Sequence, residues 1–267
     1  MPIDQVEPRV TTTIDNHVAH VHLARPEKMN AIDIAMFAGL VSAGEELAQN
    51  DEVRAVVLSG DGRGFCAGID VSVLGGVGEK VGDITDRTHD DCNIFQRAVM
   101  IWRDLKVPVI AAVHGVAFGG GFQIALGADI RIVHPEAKLS VMEIKWGICP
   151  DMGGTYLMGK LAREDIVREL TYTGRIFLGE EAKTMGFVTH LSDDPINAAM
   201  ALAAEIASKS PSAIIACKAL ISASHANSRQ EQLLQEAKSQ KGLLKGANHK
   251  EAVMAGIANR APVFSRH

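Results

Sequence analysis

Three glycines in a row, Gly119, Gly120 and Gly121, close an apolar run and open a helix-like segment. Glycine loses more backbone freedom on folding than any other residue, so three together suit neither element. At a strand-to-helix junction they let bare backbone approach a ligand. The first N–H groups of a helix are unpaired, and its dipole favours negative charge there. The chemistry on offer is the holding of an anion, or of an oxygen that gains charge during a reaction. The plainer alternative is close packing of helix on strand. His17, His20 and His22 also invite a chemical reading, and His20 and His22 share a strand face. No third ligand of suitable type stands nearby in sequence, so a solvated strand face is expected, with no metal. Cys66 and Cys149 could be read as nucleophiles, but no base is placed by sequence to activate them, so both are expected as small buried residues.

The elements that must position these groups alternate. Val10 to Ile14 and Val18 to Leu23 read as strands joined at Asp15-Asn16. Asp33 can cap a helix running to about Ala48. Ala55 to Ser59 is a buried strand, Gly75 to Gly82 a mobile loop, and a long helix carries Ile94, Ala98, Ile101 and Leu105. Strands follow over Val109 to Val113, Ile130 to Val133 and Phe187 to Leu191, and from Pro195 the pattern is helical. On pattern alone this is α/β with a helical tail, and a doubly wound sheet is the default. The dinucleotide fingerprint fails, because Phe118-Gly-Gly-Gly-Phe122 does not fit G-x-G-x-x-G. The phosphate-loop, zinc-protease and hydrolase-elbow motifs are also missing.

The chain has 267 residues, 47% of them hydrophobic, and a net charge of −5 with signs interspersed. That suits one large domain with an appendage and argues against nucleic acid as the partner. The amino-terminal segment is acidic and carries no secretory pattern, and no apolar run is long enough to span a bilayer. A cytoplasmic protein with reduced thiols is expected.

Four segments change the picture: Arg25-Pro-Glu-Lys-Met-Asn-Ala-Ile32, Gly64-Phe-Cys-Ala-Gly-Ile-Asp70, Gly115-Val-Ala-Phe-Gly-Gly-Gly-Phe-Gln123 and Met142-Glu-Ile-Lys-Trp-Gly-Ile-Cys-Pro-Asp-Met-Gly-Gly154. In this order and spacing they resemble the crotonase superfamily, the enoyl-CoA hydratases and isomerases. Asn259-Arg-Ala-Pro-Val-Phe264 is similar to that family's end. The resemblance implies a spiral of β-β-α units over residues 1–195 and a helical region over 196–267 that makes trimers or hexamers. It implies a thioester enolate held by the N–H groups of Ile69 and Gly120. It places CoA against Arg25, Lys28, Ala67, Gly68, Asp70, Gly119 and Gln123, with CoA part of the substrate and no other cofactor.

The resemblance also makes Glu143 a general acid/base. Its apolar neighbours Val141, Met142, Ile144 and Trp146 should raise its pKa towards working pH. The hydratase pattern keeps a second glutamate where this chain has Gln123, and an amide cannot take a proton at neutral pH. Asp151 resembles the aspartate that dienoyl-CoA isomerases set opposite their glutamate; a helix cap is the plain alternative. The leading expectation is an isomerase moving a proton between Glu143 and Asp151. The alternatives are a hydratase with Glu143 as main acid/base, and a non-catalytic acyl-CoA binder.

Overall fold

The computed structural model describes residues 8–74 and 82–266. The expected mobile loop, Gly75 to Gly82, lies outside the described residues except for Gly82. Strands β1 (Val10–Asp15) and β2 (Val18–Leu23) form an antiparallel hairpin. Its left-handed residues are Asn16 and His17, one position later than expected, because Asp15 still pairs with Val18. Beyond β2 the large sheet is parallel, in the order β2, β3 (Ala55–Gly60), β4 (Val109–Val113), β6 (Ile130–Val133) and β9 (His190–Leu191). A smaller sheet holds β5 (Val116–Phe118), β7 (Lys138–Ser140) and β8 (Phe177–Leu178).

Successive turns of the chain place one strand in each sheet: β4 then β5, β6 then β7, and β8 then β9. Earlier turns reach the second layer as bridges, with Ile32 beside Ile69 and Cys66 beside Ala117. This is the spiral of β-β-α units. A doubly wound fold would keep its strands in one sheet, so that default is corrected. The expected strand from Phe187 shrinks to His190–Leu191. Phe187 instead closes the preceding helix turn, its N–H donating to Ala182 C=O at 3.0 Å.

The period of two along the strands divides the core. Ala19, Val21, Leu23, Val56, Leu58, Val109 and Ala111 face one way and pack with helices α1 (Ile34–Ala48), α3 (Ile94–Asp104) and α4 (Gly120–Gly127); the short α2 (Val71–Leu74) precedes α3. Asp33 caps α1 as expected, accepting the Met36 N–H at 2.8 Å. Asn93 and Gln96 close a reciprocal capping box on α3. Short helices α5 (Gly154–Met158), α6 (Glu164–Thr173) and α7 (Gly179–Met185) follow the second sheet. The opposite face, Val18, Ala55, Val57, Ile110, Ala112 and Ile132, is covered by α8 (Pro195–Ala207). Ala199, Ala203 and Ala207 recur every fourth residue on α8, a stripe small enough to seat the helix on the sheet. The helical tail expected from residue 196 thus begins with a helix that belongs to the sheet core.

After α8 come α9 (Pro211–Ala223), α10 (Arg229–Leu243) and α11 (Ala247–Ile257). Lys218 on α9 is nearly buried and pairs with Asp129 Oδ2 at 2.8 Å. It also donates to the Val107 carbonyl at 2.9 Å, while the same Asp129 oxygen accepts the Val109 N–H. His20 and His22 are half-buried, with ring centroids 3.8 Å apart. They bond Ser59 and Asp61, each at 2.9 Å, and burial pushes His20 down to about 4.

Asn30 ties the loops that lead to the second layer. It is fully buried and left-handed, at φ 56°. Its amide donates to the carbonyls of Asp61, Gly64 and Phe65 and accepts the Arg25 N–H. Asn30→Ala strands those groups and puts an ill-suited residue in a left-handed conformation. We expect it to cost about 2–4 kcal/mol, read as a lower midpoint in urea unfolding.

Candidate active site

Two backbone segments meet where the second layer joins α4. The Cys66 N–H donates to Val116 C=O and the Phe118 N–H to Cys66 C=O, both at 3.0 Å. On the other side, Ile32 donates to Gly68 C=O at 2.8 Å and Asp70 donates to Ile32 C=O at 3.0 Å. That ladder passes over the Ile69 N–H. The Gly120 N–H opens α4 and has no carbonyl behind it within the helix. Among the described residues neither of these two N–H groups donates to a protein acceptor. The two are neighbours: a Cβ on Gly68 would lie 3.9 Å from Gly120 N, and a Cβ on Gly120 would lie 3.6 Å from Ile69 Cγ1.

The glycines have separate reasons to be glycine. Gly119 has φ 49°, and a Cβ there would sit 3.3 Å from Glu143 Oε1. A Cβ on Gly121 would sit 2.5 Å from Cys66 O, so this glycine sets the approach of α4 to the Cys66 segment. The packing role expected as the plain alternative thus falls on Gly121, while Gly119 and Gly120 line the cleft.

The segments open onto a cleft. Ile69, Val71, Phe118, Met142, Trp146 and Ile148 give it apolar walls, and Ala67, Gly68, Gly119 and Gly120 line it with backbone. The polar side chains on its wall are Gln123, Glu143 and Asp151. Glu143 starts a 3-10 turn after β7 and is 7% exposed. Its Oε1 accepts from Gln123 Nε2 at 2.6 Å, while its buried Oε2 has no hydrogen-bond partner among the described residues. Burial pushes its carboxyl above the usual range, and the charge of Asp151 adds to this against the lowering bond from Gln123. Asp151 is also pushed up, by desolvation.

Asp151 does not cap α5. The cap position is Gly153, and the N–H groups of Met152 and Gly154 go to Gln123 Oε1 at 3.0 and 2.9 Å. Gln123 thereby does the capping that sequence offered to Asp151, whose carboxylate stays on the cleft wall. Sequence reading missed this; the signal was a glutamine on an otherwise apolar helix face facing a turn with no capping side chain of its own.

Three expected CoA contacts stand off the cleft. Arg25 is mostly buried and bonds Asp70 Oδ2 at 2.8 Å and the Ala31 carbonyl at 2.9 Å, with Asp33 Oδ2 at 3.6 Å. Asp70 gives its other oxygen to Ser72, whose hydroxyl and N–H, with Arg25, hold it down at about 2. Both side chains are therefore engaged by protein partners. Lys28 is exposed on the same loop. Cys66 is buried, its thiol pushed up to about 12, whereas Cys149 is exposed, against expectation.

A raised carboxyl has a sign in stability. The folded state prefers Glu143 protonated, so ionising it at neutral pH costs stability that returns as pH falls. Glu143→Gln should unfold at higher urea than the parent at pH 7. The two midpoints should converge below the ordinary carboxyl value of 4.5.

Comparison with known proteins gives the family. The family model described as enoyl-CoA hydratase/isomerase matches residues 13–267. The rat mitochondrial Delta(3,5)-Delta(2,4)-dienoyl-CoA isomerase is 36% identical over 212 residues, 76% of this chain and 65% of the rat protein's length. The Arabidopsis thaliana peroxisomal protein of the same name is 30% identical over 261 residues, 94% of each chain. Among solved structures, enoyl-CoA hydratase from Bacillus anthracis superposes with a TM-score of 0.87 at 27% identity, over 96% of this chain and 98% of that one. This chain belongs to the enoyl-CoA hydratase/isomerase family, the crotonase superfamily.

Proposed function

We propose that the protein is an acyl-CoA isomerase that moves a proton along a dienoyl thioester. The observation that carries this is the pair of carboxylates, Glu143 and Asp151, on one apolar cleft wall, with an amide at Gln123. Ile69 and Gly120 supply the N–H groups for the thioester oxygen. As Glu143 removes the C2 proton of a 3,5-dienoyl-CoA, the electron pair spreads through the diene onto that oxygen. Two main-chain donors stabilise the charge as it develops, and loss of one such donor typically raises the barrier by about 2.7–4 kcal/mol. Asp151 then delivers a proton to C6, and the double bonds come to rest at 2 and 4, conjugated with the carbonyl. One proton leaves and one arrives, so no water and no redox partner is consumed. CoA enters as part of the substrate, and the reaction calls on no separate cofactor. The dienoyl-CoA isomerase names of the rat and Arabidopsis relatives support this reading.

The raised pKa of Glu143 favours proton exchange with a weakly acidic carbon near neutral pH. We place the acyl chain along Val71, Met142, Trp146 and Ile148, and the CoA end near Ala67, Gly68 and the loop carrying Lys28.

We also propose a trimer or a dimer of trimers. Ile257 and Val263 are 83% and 81% exposed in the single chain, and Leu233, Leu234 and Met254 are exposed on the same helical tail. Sedimentation at micromolar concentration should give three or six times the chain mass; a monomer would remove this part of the reading.

The reaction is tested by offering 3,5-dienoyl-CoA and 2-enoyl-CoA side by side. Migration should exceed water addition. Asp151→Asn should slow migration by about 10²–10⁴-fold, the usual weight of one acid/base group. Activity should fall on acidification through a midpoint above 4.5, and that limb should vanish in Glu143→Gln. Faster water addition, with Asp151→Asn harmless, favours the hydratase instead.

A further inference from the structure

Gln123 is 1% exposed and sits on α4, three residues after Gly120. Its carbonyl oxygen accepts two backbone N–H groups, from Met152 at 3.0 Å and Gly154 at 2.9 Å. An amide oxygen has two lone pairs, so Oε1 is filled. That assigns the amide's orientation from its partners, because only Nε2 is left to face Glu143. Nε2 donates to Glu143 Oε1 at 2.6 Å. The other carboxylate oxygen, Oε2, is buried and has no hydrogen-bond partner among the described residues. Oε2 is thus the oxygen with both lone pairs open to a proton, whereas Oε1 already accepts from the amide. Met152 directly follows Asp151, so the backbone bonded to Gln123 is the backbone that carries Asp151.

We propose that Gln123 is a positioning residue that sets the span between the two proton-handling carboxylates, and hence how far along the acyl chain the proton is moved. This rests on the proton-transfer reading above. One side chain ties three parts to a single frame. Through α4 it is fixed to the Gly120 donor, through Nε2 to Glu143, and through Oε1 to the Asp151 segment. The fit is close, because a Cβ on Gly154 would lie 2.5 Å from Oε1. An aspartate or asparagine at position 123 is one methylene shorter and cannot hold the same two partners from the same backbone. Asp151 is the charged group whose field reaches Glu143, so the bracket also fixes the distance between two like charges.

The test uses the full chain with substitutions at position 123, 3,5-dienoyl-CoA as probe, and two rates. Exchange of the α-proton with deuterated water needs Glu143 and the oxyanion donors. Migration to the far carbon needs Asp151 as well. Gln123→Met keeps the length and removes the bonds. It should hold exchange within about tenfold of the parent and slow migration by about 100-fold, the scale of a 1 Å misplacement. Gln123→Glu keeps an oxygen for the Met152 and Gly154 N–H groups, so the ratio of migration to exchange should return towards the parent's. Its acid limb should move up, because a second carboxylate replaces a donor beside Glu143. Equal losses of both rates in Gln123→Met, with the acid limb unmoved, would show a merely structural residue and overturn the proposal. If that variant does not fold, Gln123→Glu decides alone, and an unmoved acid limb overturns it. A parent enzyme that exchanges no α-proton overturns the proton-transfer reading, and this inference with it.

Discussion

The site depends on how closely two pieces of backbone can approach. Cys66 to Asp70 and Phe118 to Gly121 run side by side, and the ladder between Cys66 and β5 sets their spacing. Gly121 has no room for a methyl group against Cys66, and Gly68 has little more against Phe118 O, 2.7 Å from a would-be Cβ. Added bulk at either place pushes the segments apart, and with them the N–H groups of Ile69 and Gly120. Main-chain donors are held by the fold itself and need no reorganisation when charge appears between them. The spiral supplies this rigidity, because each segment is a strand end or bridge in the second layer.

The carboxylates show the opposite economy. Burying Glu143 with one oxygen unpartnered costs stability at neutral pH, and a glutamine would fit the same space without that charge. The fold tolerates the cost because two hydrophobic clusters lie on either side of the large sheet. Arg25 Nε is likewise buried without a hydrogen-bond partner among the described residues. Arg25, Asp33 and Asp70 neutralise one another at the loop entrance, and Asn30 joins three loop carbonyls. The unpaired Glu143 oxygen belongs to a residue on the cleft wall.

Much of this was legible in the amino-acid order, for physical reasons. The large-sheet strands have apolar runs or alternation, and α1 and α3 have helical spacing and capping residues, so both kinds of element could be placed. The second sheet was not, because β5, β7 and β8 are two or three residues long and carry no periodicity. The spiral and the two-donor arrangement came from resemblance of four motifs; the alternation of strand and helix patterns pointed to a doubly wound sheet. Arg25 shows the limit of motif reading. A cation on a loop looks free in one dimension, but Asp70 and Asp33 reach it from 45 and 8 residues away in sequence. Asp151 shows the reverse case: its proline and glycine neighbours suggest a cap, and a glutamine 28 positions earlier takes that role.

Lys218 on α9 carries a further meaning. A cation nearly removed from water, matched to Asp129 and to a loop carbonyl, works as an address. Apolar contacts alone would let the tail helix slide by a turn at small cost. Any such slip would strand two charges away from solvent, a penalty of several kcal/mol per ion. The tail thus docks in one place on the sheet, and the surfaces it carries outward are presented at a fixed angle to the rest of the molecule.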